Sequence, residues 1–447
     1  MYLIRDPSPT MQPHPQRRLW QVYLVFLAPM VLSNFLQSFS GTLNSIYIGQ
    51  MLGTEALAAV SGMFPVVFFF IALIIGLGAG ASVLIGQAWG AREPQAVKAV
   101  VGATLTLGAL IGLGAAVLGS IFARPALQGL GTPADVLDAA VGYAQVMMLT
   151  MPLLLIFILF TQLLRGISDT LSPLLALLVS TCIGLLLTPA LIRGWLGLPQ
   201  MGIQSAALAG LVSTACAMLF LGLRLRHKNS VMAPDRAMLA SMRLDRDILG
   251  KILRIGLPTG LQMIVLSLSE LVILALVNHH GSQATAAYGA VTQIVNYVHA
   301  QAIGAGHLER IGPILRTGML INTCLTGGLV VLGYGLSHWL LGLFITDAAT
   351  QATAEHLLHI MLWSLLVFGF QALIGGIMRA SGTVMVPVLI IIFCIVGIEL
   401  PVAYLLDARL GLEGVWMAFP VTYISMLLLQ IAYYRLVWRH KRIERLI

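Results

Sequence analysis

The run "VVFFFIALIIGLGAGASVLIGQAWGA", Val66 to Ala91, decides the fold, because it contains no charged side chain over its whole length. A helix rises about 1.5 Å per residue, so such a run can cross about 30 Å of hydrocarbon. Inside a lipid bilayer, a single crossing segment satisfies its backbone hydrogen bonds only as a helix. The run therefore predicts a transmembrane helix.

Similar runs recur through nearly all of the 447 residues, of which 58% are apolar and only 9% are charged. This composition excludes an ordinary soluble protein and predicts an all-α membrane protein with twelve transmembrane helices. The predicted spans are residues 19 to 44, 57 to 86, 97 to 122, 136 to 164, 171 to 193, 202 to 223, 252 to 278, 284 to 302, 314 to 345, 356 to 378, 385 to 406 and 412 to 434.

The positive charges orient these spans. With the N-terminus inside, all of the 25 lysines and arginines except Arg124, Arg193 and Arg409 fall on inner segments. By the positive-inside rule, both termini are cytoplasmic and the protein is a multi-pass protein of the inner membrane. If residues 284 to 302 failed to cross, the basic C-terminus would lie outside, so we expect this span to cross. The basic charge marks orientation, with anionic membrane lipid as its partner and not nucleic acid.

An internal repeat divides the chain into two six-helix bundles. "LRGISDTLSPLLALL" at Leu164 resembles "MRASGTVMVPVLIII" at Met378, and "GQAWGA" at Gly86 resembles "AQAIGA" at Ala300, both at an offset of 214 residues. Such symmetry is typical of transporters built from repeated bundles. The predicted organisation is a cytoplasmic tail (1 to 18), a first bundle (19 to 223), a cytoplasmic linker (224 to 251), a second bundle (252 to 434) and a cytoplasmic tail (435 to 447).

The second copy of the repeat is shorter than the first. "LGTEALAAVSG" at Leu52 resembles "HGSQATAAYGA" at His280 with an offset of 228, so 14 residues are lacking before the offset of 214 resumes. The eighth span then has 19 residues and about 28 Å, which just suffices to cross. Either this chain is an impaired variant with a shortened helix, or the helix is rebuilt to open a wetter cleft.

The repeat plan and the motifs "GQAWGA", "RGISDT" and "AQAIGA" resemble those of the multidrug and toxic compound extrusion (MATE) family, from about Leu19 to Trp438. The resemblance implies export of cationic, often aromatic, organic compounds in exchange for inward Na⁺ or H⁺, through a cleft between the halves. Two positions depart from the family. Asn44 stands where the family often has an aspartate, and Leu266 stands where it usually has a seventh-helix glutamate.

Several polar side chains inside the spans are candidate ligands for the substrate or the cation. A carboxylate in the middle of an apolar run is costly unless it faces a cavity or a partner. Glu270 meets this description on one helical face with Gln262, beside Ser269, and Glu399 is the other intramembrane carboxylate. On the first helix Ser33, Gln37 and Asn44 form a polar stripe. Each position also has a structural interpretation, as a packing residue or a hydrogen-bonded, protonated acid.

A second group of residues is predicted to shape the gates or to serve structure. Arg165 and Asp169 close an inner loop, and Arg379 holds the matching place in the second half. Pro65 and Pro258 interrupt local helix hydrogen bonding and favour bending, either as simple kinks or as hinges for alternating access.

The sequence predicts no enzyme, because HExxH, GxSxG, paired aspartate and nucleotide-binding GxxxxGK[ST] motifs are absent. We expect a monomer without a metal site or any cofactor other than the coupling ion. A flippase for lipids or lipid-linked saccharides shares the repeated architecture and remains the alternative. It would require basic residues within the central spans, whereas here they lie at the cytoplasmic ends.

Overall fold

A computed structural model describes residues 19–52, 54–129, 134–197, 199–280, 284, 291, 311–342, 348–380 and 382–440, and these are helical almost throughout. The helices are α1 (Leu19–Leu52), α2 (Thr54–Gly90), α3 (Pro94–Gly129), α4 (Ala134–Gly166), α5 (Leu171–Arg193), α6 (Gln204–His227), the short α7 (Arg236–Ala240), α8 (Arg246–Asn278), α9 (Ile311–Gly342), α10 (Ala348–Leu362), α11 (Ser364–Ala380), α12 (Met385–Cys394), α13 (Leu400–Leu410) and α14 (Leu412–Leu436). A π-helical segment, Ile395–Glu399, joins α12 to α13.

The helix ends fall on two sides of the molecule. We call the side that carries residues 228 to 245 the linker side, and α8 begins there. At the other end of α8, His280 Nε2 lies 2.6 Å from Asp407 Oδ1 near the end of α13, so both helices end on the opposite side. Among the described lysines and arginines, Arg124, Arg193 and Arg409 are those on helix ends of the opposite side.

Ten segments within the described residues are long and apolar enough to cross a membrane, and they correspond to ten of the predicted spans. The tenth predicted span is formed by α10 and α11 with a turn at Trp363, and the eleventh by α12, the π-helical segment and α13. The first predicted span lies within α1, a helix of 34 residues that is not among the ten. The eighth falls outside the described residues except for Ala284 and Val291.

The exterior of the helices is apolar, as a lipid-facing surface requires. Leu186, Val331 and Leu436 are each more than 70% exposed, although large aliphatic side chains normally avoid water. The interior contains two main clusters. One draws mostly on α2, α3, α4 and α6, and the other on α8, α10, α12 and α14.

Helix boundaries recur at the repeat offset read from the sequence. Helix α4 ends at Gly166 and α11 at Ala380, while α5 begins at Leu171 and α12 at Met385. The turns between them share a left-handed residue, Ser168 with φ 63° and Gly382 with φ 82°. The two turns therefore have the same local conformation, although their sequences differ.

The linker is docked onto the first half. Met232 and Met238 are buried in the first core cluster, and Lys98 Nζ on α3 lies 2.5 Å from Asp235 Oδ2. Ser241 donates a hydrogen bond to the carbonyl oxygen of Lys98 at 3.0 Å. Gly102 permits this contact, because a Cβ at that position would overlap the backbone carbonyl of Ser241.

Candidate functional site

Glu399 is a carboxylate held inside the second half of the molecule. It is 3% exposed, and its Oε1 accepts a hydrogen bond of 2.7 Å from the hydroxyl of Ser269 on α8. Ser269 is itself 2% exposed. The bond joins two residues that both belong to the predicted binding set, although 130 positions separate them in the chain.

The π-helical segment that ends at Glu399 has a local cause. Pro401 lacks an amide hydrogen, so the carbonyl four residues before it loses its helical donor. The backbone widens, and the N–H of Leu400 donates to the carbonyl of Ile395, five residues back. Such π-turns are frequent at functional sites, since they re-aim a side chain without ending the helix. The sequence "IELPV" therefore sets the direction in which Glu399 points.

Glu270 follows Ser269 on α8 and is exposed, with no hydrogen-bond partner among the described residues. It is the residue next to Ser269, which bonds Glu399. Two turns earlier on the same helix, Gln262 carries a buried Oε1 that has no partner in the described part of the chain. Each of the two carboxylates offers acceptor oxygens for a proton or a monovalent cation. An unpartnered amide oxygen adds a hydrogen-bond acceptor.

At the linker side, α2 and α8 meet backbone to backbone. A Cβ on Gly76 would lie 2.5 Å from the carbonyl oxygen of Gly256, and one on Gly80 would lie 2.7 Å from that of Ile252. A Cβ on Gly260 would lie 3.3 Å from the carbonyl oxygen of Ala72. These contacts join the two halves along the linker-side part of α2 and α8. The spacing of four residues between glycines on each helix is the signal that could have predicted this contact from sequence.

Comparison with known proteins assigns the family. The MatE family model matches residues 29–190 and 258–405, which is most of the chain and both of its halves. The chain belongs to the MATE family.

Relatives of this MATE protein match it over most of their length. It is 41% identical over 445 residues to the probable multidrug resistance protein YoeA of Bacillus subtilis, with 96% of each chain covered. It is 26% identical over 416 residues to the multidrug export protein MepA of Staphylococcus aureus, with 89% of each covered.

Solved structures share the fold. An outward-facing MATE family transporter of the MOP superfamily superposes with a TM-score of 0.83 at 21% identity, covering 93% of this chain and 95% of that one. A variant of the Vibrio cholerae MATE transporter VcmN gives 0.81 at 20% identity, covering 95% and 98%.

The polar stripe on α1 of this MATE protein remains a predicted binding surface. Ser33 uses its hydroxyl within the helix, donating to the carbonyl of Pro29 at 2.7 Å. Gln37 is exposed and Asn44 is half-buried, and neither has a hydrogen-bond partner among the described residues. A Cβ on Gly41 would meet nothing within 4 Å, so this face of α1 is open. No hydrogen bond among the described residues joins the stripe to Glu270 or Glu399.

The predicted gating residues have separate partners. Arg165 Nη1 donates to Gln162 Oε1 at 2.8 Å, whereas Asp169 accepts from the backbone N–H and the hydroxyl of Ser172 and lies 3.4 Å from Lys228 Nζ. The two residues therefore stabilise the linker side without pairing with each other.

The two predicted prolines lie within helices. Pro258 is half-buried on α8 between the two glycines that contact α2, so the helix interruption coincides with the interface between the halves. Pro65 lies within α2, and its side chain is outside the described set. A role for either proline in bending stays a prediction.

Proposed function

We propose that this MATE family member is a secondary active antiporter, which exports cationic or aromatic organic compounds in exchange for inward H⁺ or Na⁺. The single observation that carries the proposal is the buried Glu399, bonded to Ser269 next to Glu270. Buried carboxylates in transporters mark ion pathways, because burial is tolerated only when the charge is neutralised or paired during the cycle. The similarity of this chain to YoeA, a probable multidrug resistance protein, and to MepA, a multidrug export protein, supports drug export.

In this mechanism the two carboxylates alternate between loaded and unloaded states. Glu270 is exposed and receives the proton or Na⁺. Glu399 is buried, and the rest of the second half responds to the charge on its carboxylate. The hydroxyl of Ser269 donates to the ionised form of Glu399. Neutral hydrogen-bonding groups for the substrate come from Gln262, Gln37, Asn44 and Ser33. When Glu270 is ionised, its carboxylate supplies the negative charge, so a cationic substrate needs no other one.

The proposed architecture is twelve transmembrane helices in two six-helix bundles, residues 19–223 and 252–434, with the linker side in the cytoplasm. The count of twelve includes the eighth predicted span, residues 284–302, which the distribution of basic residues in the sequence requires. Basic residues concentrate on the linker side, as the positive-inside rule expects of a cytoplasmic face. The protein works as a monomer in contact with membrane lipid.

The test is efflux of a fluorescent organic cation from proteoliposomes under imposed H⁺ or Na⁺ gradients. Wild-type protein should export the probe only when an inward gradient of one of the two ions is imposed. That ion is then the coupling ion. Glu399→Gln and Glu270→Gln should each reduce gradient-driven efflux by at least about tenfold, corresponding to about 1.4 kcal/mol of lost coupling.

The matched control is Glu413→Gln. Glu413 is an exposed carboxylate at the N-terminal end of α14, outside the site. It should transport normally. Full gradient-driven efflux by Glu399→Gln together with Glu270→Gln would overturn the assignment of the coupling site. Folded wild-type protein that moves no organic cation under either gradient would overturn the proposed function.

A further inference from the structure

Arg379 lies in the last turn of α11 at the linker side, half-buried between helices. A guanidinium that is withdrawn from water normally has a carboxylate or several acceptors around it. Among the described residues, Arg379 has no hydrogen-bond acceptor and no ion-pair partner. Its positive charge is therefore uncompensated within the described part of the protein.

The neighbouring helix presents a second unsatisfied group at the same place. Gln430 on α14 is fully buried, and neither its Nε2 nor its Oε1 has a partner in the described part of the chain. A Cβ on Gly375 would lie 3.3 Å from Arg379 Nη1, 3.1 Å from Gln430 Oε1 and 3.4 Å from Gln430 Nε2. The guanidinium and the amide thus converge on one point beside Gly375, which has no side chain to occupy it.

The repeat shows which partners the second half lacks. In the first half, Arg165 donates to Gln162, and Asp169 supplies a carboxylate to the basic end of α6. At the offset of 214, Arg379 corresponds to Arg165, but Gly376 replaces Gln162 and Thr383 replaces Asp169. The second half therefore contains the arginine but neither of the two hydrogen-bond acceptors that the first half places near it.

No described carboxylate on the second half compensates for this loss. Between residues 311 and 440, the described acidic residues lie mid-helix or at the opposite side, and they are Glu355, Glu399, Asp407 and Glu413. The linker-side end of α14 instead adds Arg435 and Arg439, both exposed. The arginines at this end make the local electrostatic field positive, and a guanidinium, which only donates hydrogen bonds, favours an anion.

We propose that Arg379 and Gln430 form a phosphate-binding site at the linker-side face of the second half. The guanidinium fork donates to two phosphate oxygens, and the Gln430 amide N–H donates to a third. The depth of the site, at the end of a membrane-spanning segment, matches the headgroup of an anionic phospholipid. Inorganic phosphate offers the same chemistry, so the experiment separates the two sources.

The experiment is native mass spectrometry of the full-length protein in detergent with added phosphatidylglycerol or phosphatidylcholine. Wild-type protein should retain one tightly bound phosphatidylglycerol and exclude phosphatidylcholine. Arg379→Gln should lose this adduct, and the loss should be at least tenfold in occupancy at equal lipid concentration. Because Arg379→Gln could unfold, Gln430→Leu, which keeps the side-chain volume and removes only the amide, is tested in parallel and should weaken retention.

The control is Arg435→Gln, an exposed arginine in the last turn of α14 that should retain the lipid. Displacement of the lipid by millimolar inorganic phosphate would assign the site to free phosphate, which supports the site but changes its occupant. Retention by both Arg379→Gln and Gln430→Leu would overturn the proposal.

Discussion

Ser269 on α8 donates a 2.7 Å hydrogen bond to Glu399 at the end of the π-helical segment, so a change of charge on Glu399 acts directly on α8. The same helix contacts α2 at Gly256 and Gly260 on the linker side. One helix therefore connects the buried carboxylate to the interface between the halves. A two-state shift of α8 could transmit the charge state of Glu399 to that interface.

Replacing Ser269 tests this connection. Ser269→Ala removes the donor to a buried carboxylate, which should lower the free energy of unfolding by about 1 to 3 kcal/mol and slow efflux. Thermal unfolding and proteoliposome efflux measure the two effects. Ser267→Ala, two residues earlier on α8 and without a described hydrogen bond, should change neither. Equal behaviour of the two variants would contradict a role for the Ser269 hydroxyl.

Closure of the linker side should depend on the glycines of α2 and α8. In Gly256→Ala the new methyl group would lie 2.9 Å from the carbonyl oxygen of Gly76, so the helices must separate. Overpacking of this kind costs about 1 to 3 kcal/mol, which should favour the state that is open at the linker side. Spin labels at the exposed Arg92 and Lys251 should report a longer distance, and efflux should fall.

Gly250→Ala is the matched control for that experiment, because a Cβ there would meet nothing within 4 Å. It should improve the helix propensity of α8 slightly and leave the distance unchanged. If Gly256→Ala also kept the wild-type distance and efflux, the glycine contact would have no part in closure.

The docking of the linker should depend on Gly102. A methyl group there overlaps the backbone of Ser241, so Gly102→Ala should displace the linker from α3. Trypsin should then cleave at the exposed Arg243 about tenfold faster, given about 1.4 kcal/mol of lost docking. Gly114→Ala, on the same helix but with open space around its Cβ, should be cleaved at the wild-type rate. Identical cleavage of both variants would show that the contact does not hold the linker.

The linker should also respond to acid. The hydrogen bond from Lys98 holds the pKa of Asp235 below its usual value of 3.8, and a backbone bond from Met238 lowers it further. A carboxyl with a depressed pKa stabilises the folded state at neutral pH, and this contribution is lost as the pH falls through the folded pKa. Because the pair is exposed, we expect less than about 1 kcal/mol.

Hydrogen exchange of the Met238 amide measures this effect, since that N–H donates to Asp235 Oδ1 at 2.7 Å. The amide should be protected at pH 7 and exchange more freely, relative to its intrinsic rate, well below pH 3.8. Asp235→Asn should reduce protection at pH 7 and show little further change with acid. If the protection of the Met238 amide in the wild-type protein did not change on acidification, the role assigned to the Asp235 carboxylate would be contradicted.

Much of the candidate site could be predicted from residue type alone. An apolar run tolerates few charges, so the sequence alone marks Glu270 and Glu399 as candidate ligands. Their relation through Ser269 could not be predicted. Most faces of a transmembrane helix are apolar whether they meet lipid or protein, so a polar stripe does not show which residues of two helices touch.

The sequence by itself determined the membrane class, ten of the crossing segments, the sidedness of charge and the boundaries repeated at an offset of 214, because these depend only on segment length, polarity and order. The tertiary structure decided which polar groups meet. The contact between Gly76 and Gly256, the bond from Ser269 to Glu399 and the convergence of Arg379 with Gln430 each depend on the rotation and approach of two helices. Those quantities are set by close packing between side chains far apart in the chain.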